Sequence, residues 1–147
     1  MSSGDLQPPA RSLGRLLNNV TNSANALAND MLAEYGLTLP QWVLMSALWR
    51  RDGLLVSDLS AFSGNLLPAT SRIVARMEDG GFVERRPDAQ DRRAVRVYLT
   101  GKGRMLSHLR DFYLKVNARL LGGLGEAEIE TLFLLLERVQ ANAAQGR

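Results

Sequence analysis

The chain is 147 residues long, 46% hydrophobic and 22% charged, with a formal net charge of +3. That is one domain's length with enough apolar content for a core, which excludes general disorder. There is no cysteine, and His108 is the only histidine, so disulfides, thiol redox switching and thiolate or multi-histidine zinc sites are excluded.

Met1 to Ala10 is polar, contains Pro8-Pro9, and reads as a flexible arm. The opening residues show no basic segment leading into an apolar run. No later apolar run approaches the roughly 20 residues of a membrane helix. A cytoplasmic protein with no membrane partner is therefore expected. From Arg11 the pattern is helical. Leu13, Leu16, Leu17, Val20, Ala24, Leu27, Ala28 and Met31 recur at three- and four-residue steps, up to a stop at Tyr35-Gly36. Thr38-Leu39-Pro40-Gln41 has the form of a capping box, opening a helix with Trp42, Met45, Leu48 and Trp49. Leu54-Leu55-Val56 is long enough only for a strand fragment, which could pair beside a hairpin.

Ser57 is the N-cap candidate of a short helix carrying Leu59 and Phe62, with Asp58 in its first turn. Ser63-Gly64-Asn65 makes a turn. A second helix runs from Leu66 or Leu67 to Asp79. Its apolar stripe is Ile73, Val74 and Met77, which leaves Thr70, Ser71, Arg72 and Arg76 for solvent or a ligand. Helix, glycine-containing turn and helix form a helix-turn-helix pattern. After Gly80-Gly81, Phe82–Arg86 alternates weakly and Ala94–Leu99 cleanly, around the polar Pro87 to Asp91. This is a β-hairpin with a long tip. Arg85, Arg86, Arg92, Arg93 and Arg96 face only Asp88 and Asp91 there, a charge balance suited to a polyanion.

Thr100 caps a helix with apolar positions Met105, Leu109, Phe112, Val116 and Leu120, widened by Leu106 and Tyr113. Gly122 to Gly125 breaks it. Glu126 to Ala144 forms the last helix, on Ile129, Leu132, Phe133, Leu136 and Val139. That helix is apolar almost all round and needs cover on two sides. The first helix lacks an obvious partner within the chain. Both ends are therefore expected to pack across a homodimer, through Leu13, Leu16, Leu17, Val20, Leu120, Leu132, Leu136 and Val139.

Asp91-Arg92-Arg93, five residues, then Leu99-Thr100 resembles the hallmark of the MarR family of winged helix-turn-helix transcriptional regulators, and Gly81 to Arg85 and Gly103 also match. The specific motif covers about 23 residues, Gly81 to Gly103, while the helix order resembles the family over nearly the whole chain. The resemblance implies a mainly α fold with a small β-hairpin wing, in which residues 38–100 form a winged helix lobe. Residues 11–35 and 101–144 would be dimerisation helices within a single domain over 11–147. It also implies double-stranded DNA as partner, with recognition helices in successive major grooves and wings at the flanking minor grooves. Arg93 matches the wing-tip arginine and Asp91 the acid that orients it. Thr70, Ser71 and Arg72 match recognition-helix positions, and Arg86 and Arg92 fall to phosphate contacts.

The sequence departs from the pattern at Ser63 and Leu66, where a buried aliphatic and a capping serine are usual. Asn65 could cap instead, with Pro68 in the first turn. Family regulators often bind phenolic or other aromatic effectors, for which Trp42, Met45, Trp49, Phe112 and Tyr113 are the candidate pocket. Apolar stripes at helical spacing are otherwise ordinary packing. No nucleophile elbow, zinc-protease helix or phosphate loop is present, so neither an enzyme, a cofactor nor a metal is expected. The competing reading is a winged-helix protein-interaction module that has lost specific DNA binding.

Overall fold

Ser12 opens the first helix: its hydroxyl accepts the Arg15 N–H at 3.2 Å. The computed structural model describes residues 11–146, and the expected arm at 1–10 lies outside them. The described chain divides into two compact units, one reaching Phe112 and the other beginning at Tyr113. Residues 101–112, grouped by sequence with the dimerisation helices, fall in the first unit.

In the first unit, α1 (Leu13–Leu32) ends in a 3₁₀ turn, Ala33–Tyr35, closed by Gly36 at φ 74°. Helix α2 (Leu39–Arg50) begins with the capping box read from sequence. The Thr38 hydroxyl accepts the Gln41 N–H, and the Gln41 side chain accepts the Thr38 N–H at 3.1 Å. Asn29 on α1 accepts the Leu39 N–H at 2.7 Å, joining the two helices where α2 starts.

The fragment β1 (Leu54–Leu55) pairs with β3 (Val95–Leu99), which also pairs with β2 (Val83–Pro87). The sheet is antiparallel in the order β1-β3-β2, with Leu54 opposite Val97 and Val83 opposite Leu99. Helices α3 (Val56–Ser63) and α4 (Leu67–Asp79) form the helix-turn-helix, joined through Gly64 at φ 76°. The core is built from Leu44, Met45 and Leu48 of α2, Leu59 of α3, Val74 and Met77 of α4, and Phe82, Val83, Val97 and Leu99 of the hairpin.

Two expected caps are displaced. Ser57 lies inside α3, whose N-cap is Leu55; the Asp58 carboxylate accepts the Leu55 N–H at 3.1 Å. Asn65 does not cap α4. Its carbonyl accepts the Ser60 hydroxyl at 2.6 Å, and Leu66 takes the N-cap position without a side-chain bond. Pro68, in the first turn, has no N–H needing a partner there.

The helix expected after Thr100 is interrupted. Thr100 caps α5 (Gly101–Met105), a 3₁₀ segment covers Ser107–Asp111, and α6 runs over Phe112–Leu120. The tryptophans supply a physical reason. The Trp49 indole N–H donates to the Gly103 carbonyl at 2.9 Å, and that of Trp42 to the Leu109 carbonyl at 2.9 Å. In a continuous α-helix both carbonyls would serve amides four residues on.

In the second unit, α7 (Glu126–Ala144) follows the glycine break and contains no buried residue. Its Glu128 carboxylate accepts the Gly125 N–H at 2.9 Å, satisfying one of the helix's orphan donors.

A Cβ at Gly103 would overlap the carbonyl oxygen of Phe82. Gly103→Ala is therefore expected to lower unfolding stability by about 1–3 kcal/mol, the usual penalty of overpacking, read as a lower urea midpoint with an unchanged slope.

Candidate nucleic-acid interface

The recognition-type helix α4 turns Val74 and Met77 inward and leaves Arg72 and Arg76 exposed, four residues apart on one face. Ser71 is half-buried. Thr70, expected to face solvent or a ligand, is 0% exposed. Its hydroxyl donates to the Leu66 carbonyl at 3.1 Å, so it closes the first turn of α4 from inside and is removed from the contact surface.

The wing arginines separate by their partners. Arg85 is held by Glu78 of α4, whose carboxylate accepts the Arg85 backbone N–H at 2.8 Å and its guanidinium at 2.9 Å. Arg96 donates to Asp88 at 2.5 Å and to the Gly53 carbonyl at 2.7 Å, which fastens the wing to the turn before β1. Arg86 pairs with Glu84 and lies 4.7 Å above the Tyr98 ring, yet stays solvent-accessible. Among the described residues, Arg72, Arg76, Arg92 and Arg93 are exposed and none pairs with a carboxylate. Within the helix-turn-helix and the wing, the positive charge left unneutralised is thus on α4 and at the wing tip.

Asp91 acts on Arg93 through the backbone. Its carboxylate accepts the Arg93 N–H at 3.1 Å, while its own carbonyl accepts the Ala94 N–H at 3.0 Å. Asp91 thereby controls the turn from which the Arg93 side chain projects. Asp88 continues the turn, accepting the N–H groups of Gln90 and Asp91.

Helix and wing meet in an open cleft of about 250 Å³, lined by Leu55, Val56 and Ser57, by Leu67 and Ser71 of α4, and by Arg93, Ala94 and Val95 of the wing. Ser71 and Arg93, both chosen from sequence, are brought together there. Ser57, read from sequence only as an N-cap, and Leu67, read only as a start of the second helix, join them in the lining. The helical spacing of Leu67 and Ser71, four apart, was the available signal.

Of the effector-pocket candidates, Trp42, Met45, Trp49 and Phe112 are part of the packing of the first unit. Met45 and Phe112 are buried, and the Trp42 and Phe112 rings lie 5.5 Å apart. Both indole N–H groups are satisfied by backbone carbonyls, as described above. Tyr113 is exposed in the second unit. His108 is exposed, and its ring meets that of Tyr35 edge-on at 6.0 Å. Among the described residues no group of acidic or histidine side chains could hold a metal ion, and no helix is long and apolar enough to cross a membrane.

A helix-turn-helix followed by a projecting hairpin that completes a three-stranded sheet with β1 defines a winged-helix protein. A model of the MarR family matches residues 37–95, which run from the turn before α2 to the first residue of β3. The chain is 36% identical over 86 residues to the HTH-type transcriptional regulator TtmR of Methylorubrum extorquens (strain PA1). That match covers 56% of this chain and 42% of the relative, so the chain spans less than half of that protein. It is 26% identical over 113 residues to the HTH-type transcriptional repressor IacR of Pseudomonas putida, covering 76% and 68% of the two chains. Among solved structures it is similar to a mutant MarR from E. coli complexed with operator DNA. There the TM-score is 0.76 and the identity 27%, over 86% of this chain and 92% of that one.

The Asp88–Arg96 bond has a pH signature. Hydrogen bonding from the Arg96 guanidinium, then from the Asp91 backbone, holds the Asp88 carboxyl below its ordinary range. A depressed folded value stabilises the protein above the unfolded pKa of about 3.9, and that contribution is lost as pH falls through the folded value. Asp88→Asn is expected to be less stable than wild type near neutrality. The gap between their melting temperatures closes as pH drops below about 4, the ordinary aspartate value.

Proposed function

We propose that this protein is a homodimeric repressor that binds a pseudo-palindromic operator in double-stranded DNA. The observation that carries the reading is the cleft joining Ser71 of α4 to Arg93 of the wing, with unpaired Arg72, Arg76 and Arg92 around it. In this reading α4 enters the major groove, where Ser71 and Arg72 meet base edges, and Arg93 enters the adjacent minor groove, whose narrow A·T tracts attract arginine. Arg76, Arg86 and Arg92 neutralise phosphates, supplying affinity and register rather than sequence. Half-site centres lie about one helical turn, ~10 bp, apart. The names of IacR, a repressor, and of the operator-bound MarR structure support this assignment.

Two apolar faces support the homodimer. Leu13, Leu16 and Val20 are exposed on α1, as are Leu132 and Leu136 on α7 and Leu120 at the end of α6; Leu17 and Val139 are half-buried. Such faces mark association surfaces. Release by an aromatic effector belongs to the same reading. Trp42, Met45 and Phe112 already pack together, so an effector would act by opening that packing and shifting the recognition helices.

Arg93→Ala is expected to weaken binding to the protein's own upstream intergenic DNA at least tenfold, and Arg92→Ala, by removing a phosphate contact, to reduce the slope of log affinity against log salt by about 0.9. Gel-shift titration at two salt concentrations reads both. Equal binding by wild type and Arg93→Ala, no tighter than to random DNA, would overturn the assignment. A Leu132→Glu/Leu136→Glu variant is expected to sediment as a monomer and to lose operator binding, while wild type sediments as a dimer. A wild-type monomer in sedimentation refutes the homodimer.

A further inference from the structure

The entrance to α4 is apolar where a nucleic-acid interface is expected to be polar. Leu66 is 80% exposed and Leu67 51% exposed, although both lie at the head of the helix that carries Arg72 and Arg76. Neither is needed by the core, which α4 fills with Thr70, Val74 and Met77. Leu67 lines the same cleft as Ser71 and Arg93, one helical turn before Ser71 on the same face. Its surroundings therefore combine an exposed methyl-bearing side chain with unpaired arginines.

On a duplex, the only apolar group that any base presents in the major groove is the C5-methyl of thymine. Arg93 lies across the cleft from Leu67 and Arg72 further along α4, a charge setting that suits a polyanion better than an apolar protein surface. Resting on the DNA-binding reading above, we infer that Leu67, assisted by Leu66, is a specificity-determining contact that reads thymine methyl groups at the start of each half-site. The departure at Leu66 from a polar cap then has a use: it exchanges a side-chain hydrogen bond to the helix for apolar surface at the groove.

The test starts from duplexes selected out of a random-sequence pool by the full-length protein. Each thymine of the selected site is replaced in turn by deoxyuridine, which removes the methyl and keeps every hydrogen-bonding edge. The expected result is about fourfold weaker binding by wild type at one or two positions per half-site, the worth of one buried methyl. At those positions the Leu66→Ala/Leu67→Ala variant is expected to bind thymine and uracil duplexes equally. Both leucines are exposed, so its melting temperature should match wild type, and Leu67→Ala alone serves as a second variant. Indifference of wild type to uracil at every position, or a uracil penalty that survives in the double variant, overturns the inference and leaves the DNA-binding reading intact. A pool in which no duplex is enriched overturns both.

Discussion

The carbonyl group of Phe82 is the point on which the geometry between α4 and the wing rests. It accepts the Thr100 N–H at 3.0 Å, and the α-carbon of Gly103 lies against it so closely that no side chain fits there. Around it the Thr100 hydroxyl donates to the Gly81 carbonyl at 2.6 Å and Lys102 donates to the Gly80 carbonyl at 2.7 Å. Lys102 also lies 4.5 Å above the buried Phe82 ring. These contacts join the C-terminal end of α4, both strands at the base of the wing and the start of α5. The recognition helix and the wing consequently hold a set relation, and the cleft between Ser71 and Arg93 is a product of that relation rather than of either element alone.

Pairing sorts chemically identical side chains into different roles. Arg85 and Arg96 are structural because Glu78 and Asp88 sit within hydrogen-bond reach, one tying the wing to α4 and the other tying it to the Asp52-Gly53 turn. The same turn holds β3 through the Asp52 carboxylate, which accepts the Leu99 N–H at 2.8 Å. Exposed pairs of this kind contribute only about 0–1 kcal/mol each. Their larger effect is on charge, since each removes one cation from the field a polyanion would meet and leaves Arg72, Arg76, Arg92 and Arg93 to dominate it.

The exposed leucines have two distinct explanations. Those on α1 and α7 form long stripes on helices with little or no buried surface, and removing such side chains from water is worth about 1.5–3 kcal/mol apiece. That is the energetics of subunit association in the proposed dimer. Leu66 and Leu67 instead lie at the head of the helix that carries Arg72 and Arg76, and in the inference drawn above they serve recognition rather than assembly.

Local chemistry is legible in this sequence wherever neighbours along the chain decide the outcome. The Thr38–Gln41 capping box, the stop at Gly36, the Thr100 cap, the alternation of Val95, Val97 and Leu99 and the hallmark spacing from Asp91 to Thr100 all depend on partners a few residues apart. Tertiary structure decided whatever depends on partners far away in sequence. Asp58, rather than Ser57, governs the start of α3 because β1 ends at Leu55 in its pairing with β3. The helix after Thr100 is interrupted where indoles from α2 reach its carbonyls, 54 and 67 residues distant in sequence. Thr70 turned inward because it shares the α4 face with Val74 and Met77, which the core buries; the Leu66 carbonyl then accepts its hydroxyl. Counting arginines located the cation-rich region. Only the folded positions of Glu78, Asp88 and Gly53 determined which arginines remain available, because an ion pair forms by distance in space and spacing along the chain does not supply it.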